Sequence, residues 1–397
     1  MNSSQSLPAK PETGTVRPAT PADNGYGRAR LRLGVIGVGM WVVISSGVLS
    51  LNAIDSAREL LPSGISGDVI LMGLLILAYV LIQLPLDWLG GHQFPKQFGR
   101  RVSKPAGYAW TLVRGITCHS LLLLTSAVLL YCGGKLFGLP GAYAAGLVWI
   151  AALAAGRGWV ARVIARLPRA ALIQNPNLPD ATPTELTHST DEGFTGGITG
   201  FLSPNKNILP VAWKDRLDPK QFDLSEARRQ KVVQTGAWRA GRLAAFIFTA
   251  TGLLFALLMA GPASAGTAIG VIETSLWFTL WSFAGLLILP SLSRAAVYRV
   301  DQQLIVEGLD PQEFERLSAV LDGFQDAEPD RSRWIERIFH PIPSVSNRSS
   351  SEPKAGAGFW DIARTSVYLG IGCLSLLTRS VHCNVGRPAL WVWLPTD

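Results

Sequence analysis

Charge is what this sequence has least of. Only 16% of its 397 residues are Asp, Glu, Lys or Arg, against about 25% in soluble domains. The deficit falls in long apolar runs, which excludes an ordinary soluble globular chain. The four cysteines, Cys118, Cys132, Cys373 and Cys383, form no C-x-x-C pair, so neither a zinc knuckle nor a disulfide framework is implied. The stretch GFTGGITGF lacks the Lys-Ser/Thr that follows a phosphate-binding loop, and it reads as a turn or edge strand. The net charge of +8 has no aromatic-basic motif or reader fold beside it. Nucleic acid is excluded as a partner, and membrane lipids are the implied surroundings.

What the chain has instead is apolar length. A helix needs roughly 20 apolar residues to cross the hydrocarbon core. Six runs approach or meet that, at about 32–52, 68–89, 110–132, 140–156, 241–261 and 267–290. The basic residues alternate from one end of these runs to the other. Lys10, Arg17, Arg28, Arg30 and Arg32 precede the first run, and Lys96, Arg100, Arg101 and Lys104 follow the second. Arg157, Arg162, Arg166 and Arg169 follow the fourth, and Arg294 and Arg299 the sixth. The intervening loops carry Asp55, Glu59 and Asp68 against Arg58, then Lys135 alone, then no charge. The positive-inside rule places the N-terminus and both long polar segments in the cytoplasm, which in a bacterium means the inner or plasma membrane.

The fold class read from this pattern is an α-helical polytopic membrane protein of six spans with a small α+β cytoplasmic domain. Residues 1–30 are a disordered tail, starting too far from the first long run to be a signal peptide. Residues 31–156 are a four-helix transmembrane region and 157–240 a cytoplasmic segment. Residues 241–290 are a transmembrane hairpin, 291–348 a cytoplasmic helical segment, and 349–397 a linker, a seventh apolar stretch and a tail. That stretch, at 359–377, contains Asp361 and Arg364; it either crosses the membrane or lies in the interface or against the bundle.

Within the polar segments, 170–213 reads as short strands with a turn at 203–207. Asp218-Pro219 is a helix start, an N-cap side chain followed by proline at the first position. Val297, Val300, Leu304 and Ile305 recur at helical spacing up to Gly308, and Asp310-Pro311 opens another helix with a stripe of Phe314, Leu317, Val320, Leu321 and Phe324. A further short element, with Trp334 and Ile338, leads to His340-Pro341.

This order of elements over residues 190–348 resembles the HtpX-like membrane zinc metallopeptidases, the wider family of the CaaX prenyl proteases. That family carries H-E-x-x-H on a helix before a hairpin of two spans, then S-R-x-x-E-x-x-A-D, then a late His-Pro and an Arg. Two histidines at i and i+4 and a second-helix Glu hold zinc, and the intervening Glu activates water. Aligning Leu217-Asp218-Pro219 with the family's helix start puts the zinc window on Arg228, Arg229, Gln230, Lys231 and Val232. Residues 189–339 hold no histidine, so no shift restores it. Ser293, Arg294 and Asp301 match the second motif, but Val297 stands at the ligand Glu. His340, Pro341 and Arg348 remain. The resemblance implies a peptidase-like cytoplasmic domain that has lost zinc and catalysis, a pseudopeptidase with a binding, scaffolding or regulatory role toward a peptide or membrane-protein partner.

Other readings stay open. A membrane-bound metalloendopeptidase-type hydrolase with a non-standard site would draw on His340, His382, Cys383 and Cys373. A small-solute or ion transporter would use Arg114 and His119 within the third run, with Glu273 as the acid nearest a span centre. Arg228 and Arg229 are either an anion site or a basic helix face. The Trp391-Trp393 end reads as a membrane-interface anchor.

Overall fold

The structure, a computed structural model, describes residues 23–51, 54, 59, 64–174, 182–200, 203–325, 328, 330–349 and 358–392. The expectations for residues 1–22, for Asp55 and Arg58, for the linker at 350–357 and for Trp393 lie outside them. Among the described residues, five helices are long and apolar enough to cross a membrane, and the chain is a multi-pass membrane protein.

Helices α1 (Asp23–Ser50) and α2 (Ile65–Gln97) precede α3 (Pro105–Ala165), whose 61 residues are too long for one crossing. Phe137 and Gly138 leave the helical region inside α3, Gly138 at φ 63°, which glycine adopts without a Cβ penalty. The chain doubles back there. Arg114 donates to the Ile164 carbonyl and the Trp149 indole to the Ser126 hydroxyl, contacts that two antiparallel arms make. A Cβ on Gly133 would come within 2.5 Å of the Gly141 carbonyl oxygen, so glycine is what lets the arms close. The third and fourth apolar runs are these two arms.

Strands β1 (Arg169–Ile173), β2 (Thr184–Thr187), β3 (Gly197–Thr199) and β4 (Lys206–Pro210) form a sheet in the order β1-β2-β4-β3. β2 and β4 run parallel, and the outer strands pair antiparallel. β3 is therefore an edge. A one-turn α4 (Trp213–Arg216) leads to α5 (Pro219–Gln234), capped by Asp218 in a reciprocal box with Gln221. Gly236, at φ 73°, separates α5 from α6 (Ala237–Ala260). α6 packs tightly along α7 (Ala268–Val306) because Gly252 leaves room for Trp281 and Gly285 for Phe248. α7 runs unbroken through Pro290, so residues 291–306 continue the helix of the sixth run rather than forming a separate one. α8 (Pro311–Gln325), α9 (Arg333–Phe339) and α10 (Val345–Ser349) follow. Leu317 and Leu321 of α8 join Leu186 and Leu209 of the sheet in one core.

Residues 358–392 turn back into the bundle. Only α11 (Ile362–Leu369) is α-helical there; the rest is 3₁₀ turns and irregular chain, almost wholly buried. Irregular backbone at membrane depth survives only where protein satisfies it. The hydroxyls of Ser126 and Ser275 donate to the carbonyls of Ile371 and Leu374, and the Leu376 amide donates to Thr279 Oγ1. Asp87 of α2 pairs with Arg379 and accepts from the Gly386 amide at 2.9 Å.

This packing selects between two alternatives left open by the sequence and corrects three expectations. The seventh apolar stretch does not cross; it is an eight-residue helix and turns held inside the bundle. Residues 23–30 are not a disordered tail but the first turns of α1, where buried Arg30 donates to the carbonyls of Gly90 and His382. Residues 157–165 belong to α3, and Arg157 is no loop charge: it is buried on Thr365 and the Val392 carbonyl, 3.6 Å from Asp361. Trp391 is fully buried against His119, not set at a membrane interface.

Candidate functional site

The Asp218 cap fixes where α5 begins and hence which face it turns inward. Phe222, Ser225, Glu226, Arg228, Arg229 and Val232 are buried, a stripe at helical spacing. α7 opposes it with Ser293, Arg294, Val297, Val300, Asp301 and Leu304. Arg228 Nε donates to Asp301 Oδ1 at 2.7 Å, and Arg348 Nε to Asp301 Oδ2 at 2.8 Å. One carboxylate is thus held between two guanidiniums, all three side chains at most 4% exposed. Val232 and Val297 meet nearby in a core with Ile198, Ala296 and Val300.

Arg229 turns toward the sheet. Its guanidinium donates to Asn207 Oδ1 and to the carbonyls of Ile208 and Thr195 at 2.5–2.8 Å, and it lies over the Trp213 ring. It ties α5 to β4 and to the chain leading into β3, so it is a packing group rather than an open basic face. Arg294 donates to the carbonyls of Glu336 and His340, capping the C-terminal end of α9, where a cation is favoured. That contact links the Ser-Arg pair of α7 with the late His-Pro.

These residues do not fit a zinc ion. Arginine and valine supply no metal-ligating atom at Arg228, Val232 and Val297, and a fixed guanidinium repels a cation. Among the described residues, no group of three His, Cys, Asp or Glu is arranged to hold a metal.

The neighbouring space is filled from the chain's own C-terminal segment. The Trp360 ring lies 4.9 Å from the Arg228 guanidinium and packs into the Val232–Val297 core. Its amide donates to the Ala237 carbonyl. Gly241 lets it approach, since a Cβ there would meet the Trp360 carbonyl oxygen at 1.9 Å. Between Trp360, Asp361 and the β3 edge about 10 Å³ is left, lined also by Arg229 and Arg242, the size of a single water. Arg242 donates to the Ile198 carbonyl on β3.

His340 and His382 come together, their rings 5.0 Å apart, and Cys383 lines the same space. Cys373 does not join them; it is fully buried beside the turn that packs on α3. His119 lies between Tyr79 and Trp391, and Arg114 is spent on the α3 hairpin. Sequence reasoning missed Asp87. The signal was there: Gln83 and Asp87 stand four residues apart in an apolar run, hence on one helix face. Both hold the C-terminal segment, Gln83 through the Ser380 hydroxyl.

By sequence the chain matches no family model and no curated protein. By structure it is similar to S. mikatae Ste24p, with a TM-score of 0.62 and 11% identity over 84% of this chain and 99% of that one. At that identity the likeness is one of fold.

Proposed function

We propose that this chain is a catalytically inactive, membrane-anchored homologue of the HtpX-like and CaaX-type zinc metallopeptidases, acting by binding, as a scaffold or regulator. The Arg228–Asp301–Arg348 cluster carries the reading: Arg228, at a position where the family resemblance calls for a metal ligand, is closed onto Asp301, and Val232 and Val297 stand at the other two ligand positions. The fold shared with Ste24p, a protein of that peptidase type, supports the relationship. A peptide or membrane-protein partner would be held as an added strand on the β3 edge. Trp360 and Asp361, which cover that edge, are the groups it would displace.

The proposed topology has six crossings, counting both arms of α3, with the N-terminus and the sheet on the cytoplasmic side. Exposed Cys132 lies beside the α3 turn, at the opposite end. In sealed cells a membrane-impermeant maleimide then reaches Cys132 from outside; labelling only after lysis reverses the orientation.

Metal analysis of the purified full-length protein tests the central claim. The expected result is well under one zinc per chain and no chelator-sensitive proteolysis. One retained zinc whose removal abolishes cleavage overturns it. A hydrolase built on His340, His382 and Cys383 is the second reading, favoured by the 5.0 Å approach of the two rings; proteolysis that ignores chelators but is lost in H382A selects it. Transport is disfavoured because residues 358–392 fill the bundle interior.

A further inference from the structure

A cavity of about 330 Å³ opens between α1 and α7. Gly34, Val38, Leu286, Leu287, Pro290 and Val367 make its walls apolar. The surface beside it is apolar as well, with Val35, Ile36, Leu287 and Ile288 each 46–61% exposed on candidate spanning helices. Its mouth therefore faces lipid tails.

The inner end of this cavity is not apolar. Pro341, Arg364, His382 and Cys383 line it and also line a second space of about 30 Å³ on the side of the sheet and α8. Arg331, Arg348, Arg387 and His340 complete the basic wall of that chamber, with Asp322 as the acid on it. Arg331 pairs with Asp322, Arg348 with Asp301 and Arg387 with Asp191. Arg364 and His382 are the cationic and hydrogen-bonding groups that reach both spaces.

We propose that the two spaces form one site for a single-chain fatty acid, its carboxylate at Arg364 and His382 and its chain in the apolar cavity. The volumes select the ligand. An apolar cavity of about 150 Å³ takes one benzene ring, so about 330 Å³ takes roughly a dozen carbons of one chain. The polar chamber, at about 30 Å³, has room for a carboxylate or about two waters, too little for a glycerophosphate. Arginine's planar fork suits a carboxylate, and half-buried Arg364 borders a low-dielectric cavity, which strengthens the attraction. Entry is lateral, between α1 and α7 from the lipid. The site stands whether or not the chain is a pseudopeptidase, since it lies apart from the β3 edge.

The test uses the full-length protein in phosphatidylcholine nanodiscs with radiolabelled dodecanoate as probe. One saturable site per chain is expected. Dodecanol should bind at least about tenfold more weakly, acetate should not compete, and added phosphatidylglycerol should not displace the probe. Arg364→Gln should weaken binding about tenfold. As a control for loss of fold in Arg364→Gln, Leu287→Trp is measured beside it; it fills the lipid-facing mouth and should abolish binding while the melting temperature is kept. Equal binding of dodecanol, displacement by phosphatidylglycerol, or unchanged binding in folded Leu287→Trp protein would each overturn the assignment.

Discussion

Two buried aspartates hold this molecule together in different ways. Asp301 on α7 is shared by Arg228 of α5 and Arg348 of α10. It lies where the sheet and helices of the polar end meet, and all three partners were visible as motif positions in the sequence. Asp87 on α2 lies at the other kind of place, inside the helix bundle. Its partner Arg379 is 292 residues away, and its second oxygen accepts from the Gly386 amide. Asp301 joins α5, α7 and α10 at the polar end. Asp87 fastens an irregular C-terminal segment into the space the helices enclose. At the polar end the carboxylate is shared between two guanidiniums of neighbouring helices, whereas in the bundle an ion pair retains the C-terminal segment.

The largest effect should come from breaking the second site. Arg379→Ala leaves a carboxylate buried without its cation and should cost about 3–5 kcal/mol, read as a large loss of melting temperature in detergent. The paired change Asp87→Asn with Arg379→Gln should recover much of it. If Arg379→Ala melts like the wild type, the C-terminal segment is not held by this pair. Asp301→Ala should cost less, about 2–3 kcal/mol, because Arg228 and Arg348 lose one charged acceptor each. The same measurement ranks the two aspartates directly; a reversed order would break the comparison.

Gly241→Ala tests the contact between the regions. The added Cβ must push Trp360 away from the β3 edge, at about 1–2 kcal/mol of overpacking. Limited proteolysis should then cut near residue 358 sooner than in the wild type; unchanged cutting would mean that Trp360 is not a strap over that edge.

The smallest effect concerns Asp191, which pairs with Arg387 at the polar end of the C-terminal segment. Burial pushes its carboxyl up, but the Arg387 charge and hydrogen bonds, Arg30 and the Gly193 amide outweigh that and hold it below the usual range. A carboxyl depressed in the folded state adds stability that is fully present above its unfolded pKa, about 3.9, and is lost as pH falls through the lower folded value. Melting temperatures should therefore fall more steeply below about pH 4 in the wild type than in Arg387→Ala, which has no such pair to lose.

The long helices were legible because membrane burial is a local demand: a run of apolar side chains needs no distant partner to declare itself. The α5 start was equally legible, since Asp218, Pro219 and Gln221 cap the helix within four residues. Convergence of Arg228, Val232, Val297 and Asp301 came through the order of elements. The course of residues 358–392 was not legible. Its mixture of Gly, Pro, Asn and charged residues has no period to read, and its stability comes from side chains of α1, α2, α3 and α7 that lie 97 to 352 residues earlier. For the same reason Arg30 and Arg157 were misread as loop charges, because a basic residue near a span end looks alike whether it meets water or buried carbonyls.

By itself, then, the sequence determined that this chain lives in a membrane, which stretches are helices, and that zinc-ligating side chains are missing from the aligned positions. Those follow from local composition and from atoms that arginine and valine do not possess. Only the tertiary structure decided that Asp301 is closed between two guanidiniums, that Trp360 covers the edge strand, and that the C-terminal segment fills the bundle. Each depends on groups far apart in sequence meeting at hydrogen-bond distance, and only the folded chain determines which polar groups meet when burial removes them from water.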